Sequence, residues 1–176
     1  ITKMKDGNLV KDNLVSLISK IGEKIIIRRA NFFDNKKGLN FFYVHSSIQK
    51  NIGKIVSVVT LEGIIKGKND EIGTKLAMHI AASNPLAIDR DGINKQIVEK
   101  EMEIIKAEII NSGKPKEIAE KISQGKISKF LSENSLLNQI WIMDSKKKVS
   151  EILSENSSEK PIRILDFVRY KVGEGV

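Results

Sequence analysis

The chain has no cysteine among its 176 residues, which removes disulfide frameworks, thiolate metal sites and cysteine nucleophiles together. It must hold by packing alone. Histidine occurs only at His45 and His79, without the HExxH spacing that would aim two imidazoles at one zinc ion. No metal and no cofactor are expected. Aromatic residues make up 5% of the chain and proline occupies three positions, so a nucleic-acid platform of stacked rings has little material to work with. No apolar run approaches the roughly 18 residues that span a bilayer, and none follows a basic start in the manner of a signal peptide. A soluble, cytoplasmic protein with no membrane partner is the expectation. Phosphate-cradling patterns of the GxxxxGK[ST] or GxGxxG kind are absent, and the nearest Gly/Lys cluster, Gly63 to Lys68, reads as a plain loop. Direct nucleotide binding is not expected. There is no GxSxG elbow, and acidic pairs such as Glu101 and Glu103 fall on a solvated helix surface. Nothing converges as a catalytic constellation, and the chain reads as a non-enzyme.

Hydrophobic residues make up 40% and charged residues 30% of the chain, a globular composition. The net charge of +8 is unevenly spread: up to Thr60, eleven Lys or Arg stand against four Asp or Glu, whereas from Ile93 to Asn134 eight Lys meet seven Glu. The basic first third supports an alternative reading as a ribosome- or nucleic-acid-surface module. The balanced helical region is a self-solvating surface. The chain opens at Ile1 and not at Met, as expected of a piece of a longer protein.

Periodicity gives the organisation. Val10, Leu14, Leu17, Ile18 and Ile21 recur at helical spacing and Gly22 follows where a left-handed cap ends a helix, so Lys11 to Ile21 is predicted helical. Lys24 to Phe33 reads as a covered strand. Alternation from Leu39 to Ser46 and a β-branched run from Lys54 to Leu61 predict a hairpin. Asp70 suits the N-cap of a helix that turns Ile72, Leu76, His79 and Ile80 inward, with Pro85 as its stop. His79 reads as structural. Asn94 caps a long helix whose Val98, Met102, Ile105 and Ile109 form a narrow seam; Ser112 to Pro115 breaks it, and Ile118 and Ile122 continue the stripe on a second helix. Gln139 to Met143 reads as a short strand, Asp144 as the cap of a helix bearing Val149, Ile152 and Leu153, and Ile162 to Val172 as a closing strand. Within Ile140 to Met143, core strand and exposed anchor both remain open. The sum is an α+β fold of small sheet-and-helix subdomains with an inserted antiparallel helical hairpin.

Four stretches in order resemble the elongation factor Ts family: Lys20 to Glu23 leading into Ile27-Arg28-Arg29, Ala77 to Ala82 with Asn84-Pro85, Ser112 to Pro115 with Ile118, and Phe167 to Tyr170 running into Val172 to Gly175. The resemblance implies a remnant of an N-terminal core subdomain at 1–36, a C-terminal core subdomain at 37–87 and 137–176, and a coiled-coil arm at 88–136. It implies a guanine-nucleotide exchange factor that binds elongation factor Tu, GDP-bound or nucleotide-free, in a bacterial cytoplasm or an organellar matrix. Ile21, Gly22, His45, Ile142 and Met143 are the positions it implies for holding that partner. A homodimer through the arm or an open sheet edge is a further partner it allows. The family's Thr-Asp-Phe-Val segment, which acts towards the partner's nucleotide-site magnesium, does not occur in these residues, so binding and exchange are expected to come apart.

Overall fold

The computed structural model describes residues 2–34, 36, 38–65, 67, 70–111 and 116–175. They divide into two compact units, Ile1–Phe32 and Phe33–Val176. In the first, helix α1 runs over Val10–Ile21 with Leu14 and Ile18 half-buried and none of its residues fully buried. Gly22 ends it as the spacing predicts: its φ is 78°, and its amide donates to the Ile18 carbonyl at 2.8 Å. The expected strand over Lys24 to Phe33 is a correction, because those residues carry no regular secondary structure and Ile26 and Ile27 stay exposed. β-branched composition favours an extended backbone, yet a strand is made by the ladder of a neighbour. No described strand supplies one here.

The second unit is built on a three-stranded antiparallel sheet in the order β1-β2-β3, comprising β1 (Leu39–Gln49), β2 (Ile52–Glu62) and β3 (Arg163–Lys171). Alternation sends every second side chain to one face. The register stacks these into cross-strand rows: Phe41, Val59 and Phe167; then Tyr43, Ser57 and Arg169; then His45, Ile55 and Lys171. Helix α2 (Asp70–Ser83) covers that face with Ile72, Leu76, Ala77 and Ile80, and Leu136, Trp141, Val149, Leu153 and Ile162 complete the core. Ser57 fastens helix to sheet, its hydroxyl donating to the Ala77 carbonyl at 2.6 Å.

Where α2 passes over Phe41 of β1, the packing needs a residue without a Cβ. A methyl group added at Gly73 would lie 2.3 Å from the Phe41 ring. Alanine elsewhere in a helix gains up to about 1 kcal/mol over glycine, but overpacking costs about 1 to 3 kcal/mol, and a rigid ring in a covered layer has nowhere to go. Gly73→Ala should therefore lower stability in urea unfolding. An unchanged midpoint would show that the ring moves freely.

Helix α3 (Lys95–Asn111) starts as predicted, with the Asn94 side-chain oxygen accepting from the Gln96 amide at 2.8 Å. It packs against helix α4 (Lys116–Asn134), with Glu108 paired to Lys126. The predicted break at Ser112 to Pro115 lies outside the described residues. The seam is narrower than expected: Ile105 and Ile109 are buried and Val98 and Ile122 half-buried, but Met102 and Ile118 are exposed. Two helices alone shield only a thin stripe of one another. Where the pair joins the body its ends are stitched together: the Leu86 amide donates to Asn134, and those of Leu136 and Leu137 donate to Ala87 and Ile88, at 2.9 to 3.0 Å.

Gln139 to Met143 is a second correction. A 3-10 turn at Leu136–Asn138 is followed by a single bridge, Ile140 to Lys148, closed by the Trp141 amide on Lys147 at 2.8 Å. The chain reverses at once, so no ladder grows. Asp144 serves that reversal, accepting from the Lys146 amide at 3.0 Å. It does not cap helix α5 (Val149–Asn156), whose entry is held by Glu151 accepting from the Lys148 amide at 2.7 Å.

Candidate partner-binding groove

α2 covers the sheet rows only as far as its last turn. Beyond it the face that carries His45 opens into a groove of about 410 Å³. Tyr43 and His45 come from β1, Met78 from α2, Arg169 from β3, and Ile142 and Met143 from the loop before α5. Ala81 and Ala82 leave the space open by their small size. Two larger clefts, of about 510 and 690 Å³, contain none of the site residues anticipated from sequence.

Two positions apart on one face of a strand, Tyr43 and His45 are neighbours by the pleat. The tyrosine hydroxyl lies 3.2 Å from His45 Nδ1, and the ring centroids are 6.0 Å apart. Sequence alone names no internal partner for His45; this is one. The imidazole remains exposed.

Within this loop burial divides the residues. Trp141 is buried at 4% exposure while Ile142 and Met143 stand out at 47% and 43%. Trp141 stacks on His79, with centroids 5.2 Å apart and planes at 18°. His79 is fully buried, its Nε2 3.0 Å from the Gln139 side-chain oxygen, while its Nδ1 accepts from the Ile142 amide at 3.3 Å. Burial pushes the imidazole below the usual histidine pKa, opposed by the Gln139 hydrogen bond, so the neutral ring is the form this site holds.

Arg169 is the residue that sequence reasoning misses most plainly. Its Nε donates to the Ala81 carbonyl at 2.9 Å and its Nη1 meets Glu174 at 2.8 Å. A cation at the last turn of α2 complements the carbonyl end of the helix. No periodicity singles it out, since the β1–β2 and β2–β3 registers together place it in the row of Tyr43. Tyr43 itself was legible as the residue two before His45.

Ile21 and Gly22 belong to the first unit, where Ile21 is 52% exposed at the helix exit. The structure thus gathers His45, Ile142 and Met143 in one groove of the second unit, and within the first unit Ile21 and Gly22 stand at the end of α1. Among the described residues no group of three or more His, Asp or Glu is placed to hold a metal, and no helix is long and apolar enough to cross a membrane.

The groove thus combines exposed apolar side chains with the Tyr43 hydroxyl, the His45 imidazole and the Arg169 guanidinium. The family model described as Elongation factor TS matches residues 1–174. The chain is 38% identical over 178 residues to Elongation factor Ts of Clostridium kluyveri, covering 97% of this chain and 55% of that protein. It is 36% identical over 174 residues to that of Erythrobacter litoralis, with 97% and 56% covered, and 34% identical over 178 residues to that of Rickettsia bellii, with 99% and 58% covered. It therefore spans little more than half the length of these relatives. Matched from residue 1 to residue 174, the chain belongs to the elongation factor Ts family.

Proposed function

We propose that the chain supplies a surface by which a guanine-nucleotide exchange factor holds elongation factor Tu and promotes release of GDP, acting by binding and not as a catalyst. The observation that carries this is the convergence of His45 with Ile142 and Met143, from distant parts of the sequence, on one partly apolar groove. An exchange factor works through differential affinity: preferring the nucleotide-free conformer, it lowers its partner's affinity for GDP by the same coupling free energy. In this reading Ile21, Gly22 and His45 face the GTP-binding domain of the partner, and Ile142 and Met143 face its β-barrel domain. His45 and the Ile142–Met143 pair share the groove. The paired helices α3 and α4 form the antiparallel coiled-coil arm, a second copy of the chain is accommodated at that arm or at an open sheet edge, and the setting is the bacterial cytoplasm or an organellar matrix. The apolar lining favours a protein partner over a phosphate backbone.

Labelled elongation factor Tu titrated with the 176-residue polypeptide, beside a GDP-release assay, tests the reading. Affinity should be measurable while acceleration of GDP release stays weak, because no Thr-Asp-Phe-Val segment is contained in these residues. Full exchange activity would refute the division of labour, and no binding at high concentration would remove the retained surface. Apolar anchoring also requires that affinity fall only modestly with salt, in contrast to phosphate binding.

A further inference from the structure

Gln139 is pinned by its own side-chain nitrogen. That nitrogen donates to the Glu133 carbonyl at 2.8 Å and to the Ser83 carbonyl at 3.3 Å, at the ends of α4 and α2. With the amide oriented by two carbonyls, the group it turns to His79 is its oxygen, an acceptor, 3.0 Å from Nε2. The imidazole proton of a neutral ring must then sit on Nε2, which leaves Nδ1 bare. Bare Nδ1 is what the Ile142 amide meets at 3.3 Å. Stacking on Trp141 fixes the ring plane. The direction of donation thus runs unbroken from the Ile142 amide through the imidazole and Gln139 to two helix-end carbonyls.

Resting on the docking role of the groove, we propose that His79 is a positioning residue: through Nδ1 it holds the Ile142 backbone so that Ile142 and Met143 stand out of the core as a pre-formed anchor. An anchor already ordered in the free protein avoids the entropy of ordering it on binding. A purely structural histidine would contribute packing and nothing specific to one ring nitrogen. The two are separable by chemistry, because an asparagine side chain reaches the Nδ1 position and a glutamine side chain the Nε2 position.

His79→Asn and His79→Gln are compared with the unchanged chain in three readings: unfolding midpoint, hydrogen exchange of the Ile142 amide, and affinity for elongation factor Tu. The asparagine chain should keep Ile142 protected and bind within about threefold of the original, whereas the glutamine chain should exchange Ile142 faster and bind about tenfold more weakly, as expected when one interface anchor is loosened. Equal behaviour of the two variants, or losses that follow only their midpoints, overturns the positioning role. A chain that never binds elongation factor Tu refutes the docking reading instead, and the Ile142 exchange pattern alone then decides the role of His79. Should the glutamine chain fail to fold, ¹⁵N shifts of the imidazole in the unchanged chain decide: a protonated Nδ1, whether in the other tautomer or in imidazolium, rules the inference out.

Discussion

Replacing Ile142 and Met143 together by alanine should weaken binding of elongation factor Tu by roughly 30-fold to several hundred-fold, the equivalent of about 2 to 4 kcal/mol for two interface anchors. Their own fold should hardly notice. Both side chains are about half exposed in the free chain, so little burial is lost with them, and the buried Trp141 between β-bridge and His79 keeps the loop in place. Isothermal titration beside an unfolding curve separates the effects. Affinity within threefold of the unchanged chain would mean that the groove is not where the partner sits. His45→Ala should weaken binding less, because Tyr43 shares its polar edge and keeps part of the contact surface.

Leu76→Ala should have the largest effect on stability, a loss of about 3 to 5 kcal/mol, since removal of a fully buried leucine combines lost transfer free energy with the cavity left behind. Leu76 has no exposed surface and lies in α2 among the buried residues packed on the sheet. Against a typical total of about 5 to 15 kcal/mol, such a loss takes the domain close to unfolding. Urea denaturation measures it directly. A change below about 1 kcal/mol would place α2 off the main core.

Much of the architecture was legible because its signals are local. Gly22 announced the end of α1 through the one backbone conformation it favours, Asn94 announced α3 through its cap, and the alternation from Leu39 onwards announced β1. The inward face of α2 was legible residue by residue, including His79. Two stretches depart from their strand signal for the same reason: Lys24 to Phe33 and Gln139 to Met143 have strand composition, and composition does not report whether a neighbour exists to complete the ladder. Within the groove, His45, Ile142 and Met143 were reachable only through resemblance. Their proximity, and the presence of Arg169, depend on the register between strands distant in sequence, which no local pattern carries.

The stitching at the base of α3 and α4 bears on how quickly the body can form. β2 and β3 pair although roughly a hundred residues separate them, and closing so long a loop must precede the reward of the ladder. The Ala87–Ser135 bridge, with the amides of Leu86, Leu136 and Leu137, ties off the intervening helices at their root. If the helices pair first, the chain left to close is about half as long, and loop-closure entropy falls by about 0.6 kcal/mol per halving, roughly threefold in a closure-limited rate. A helical pair with two buried seam residues among those described would then matter more to the pace of assembly than to the depth of the final minimum.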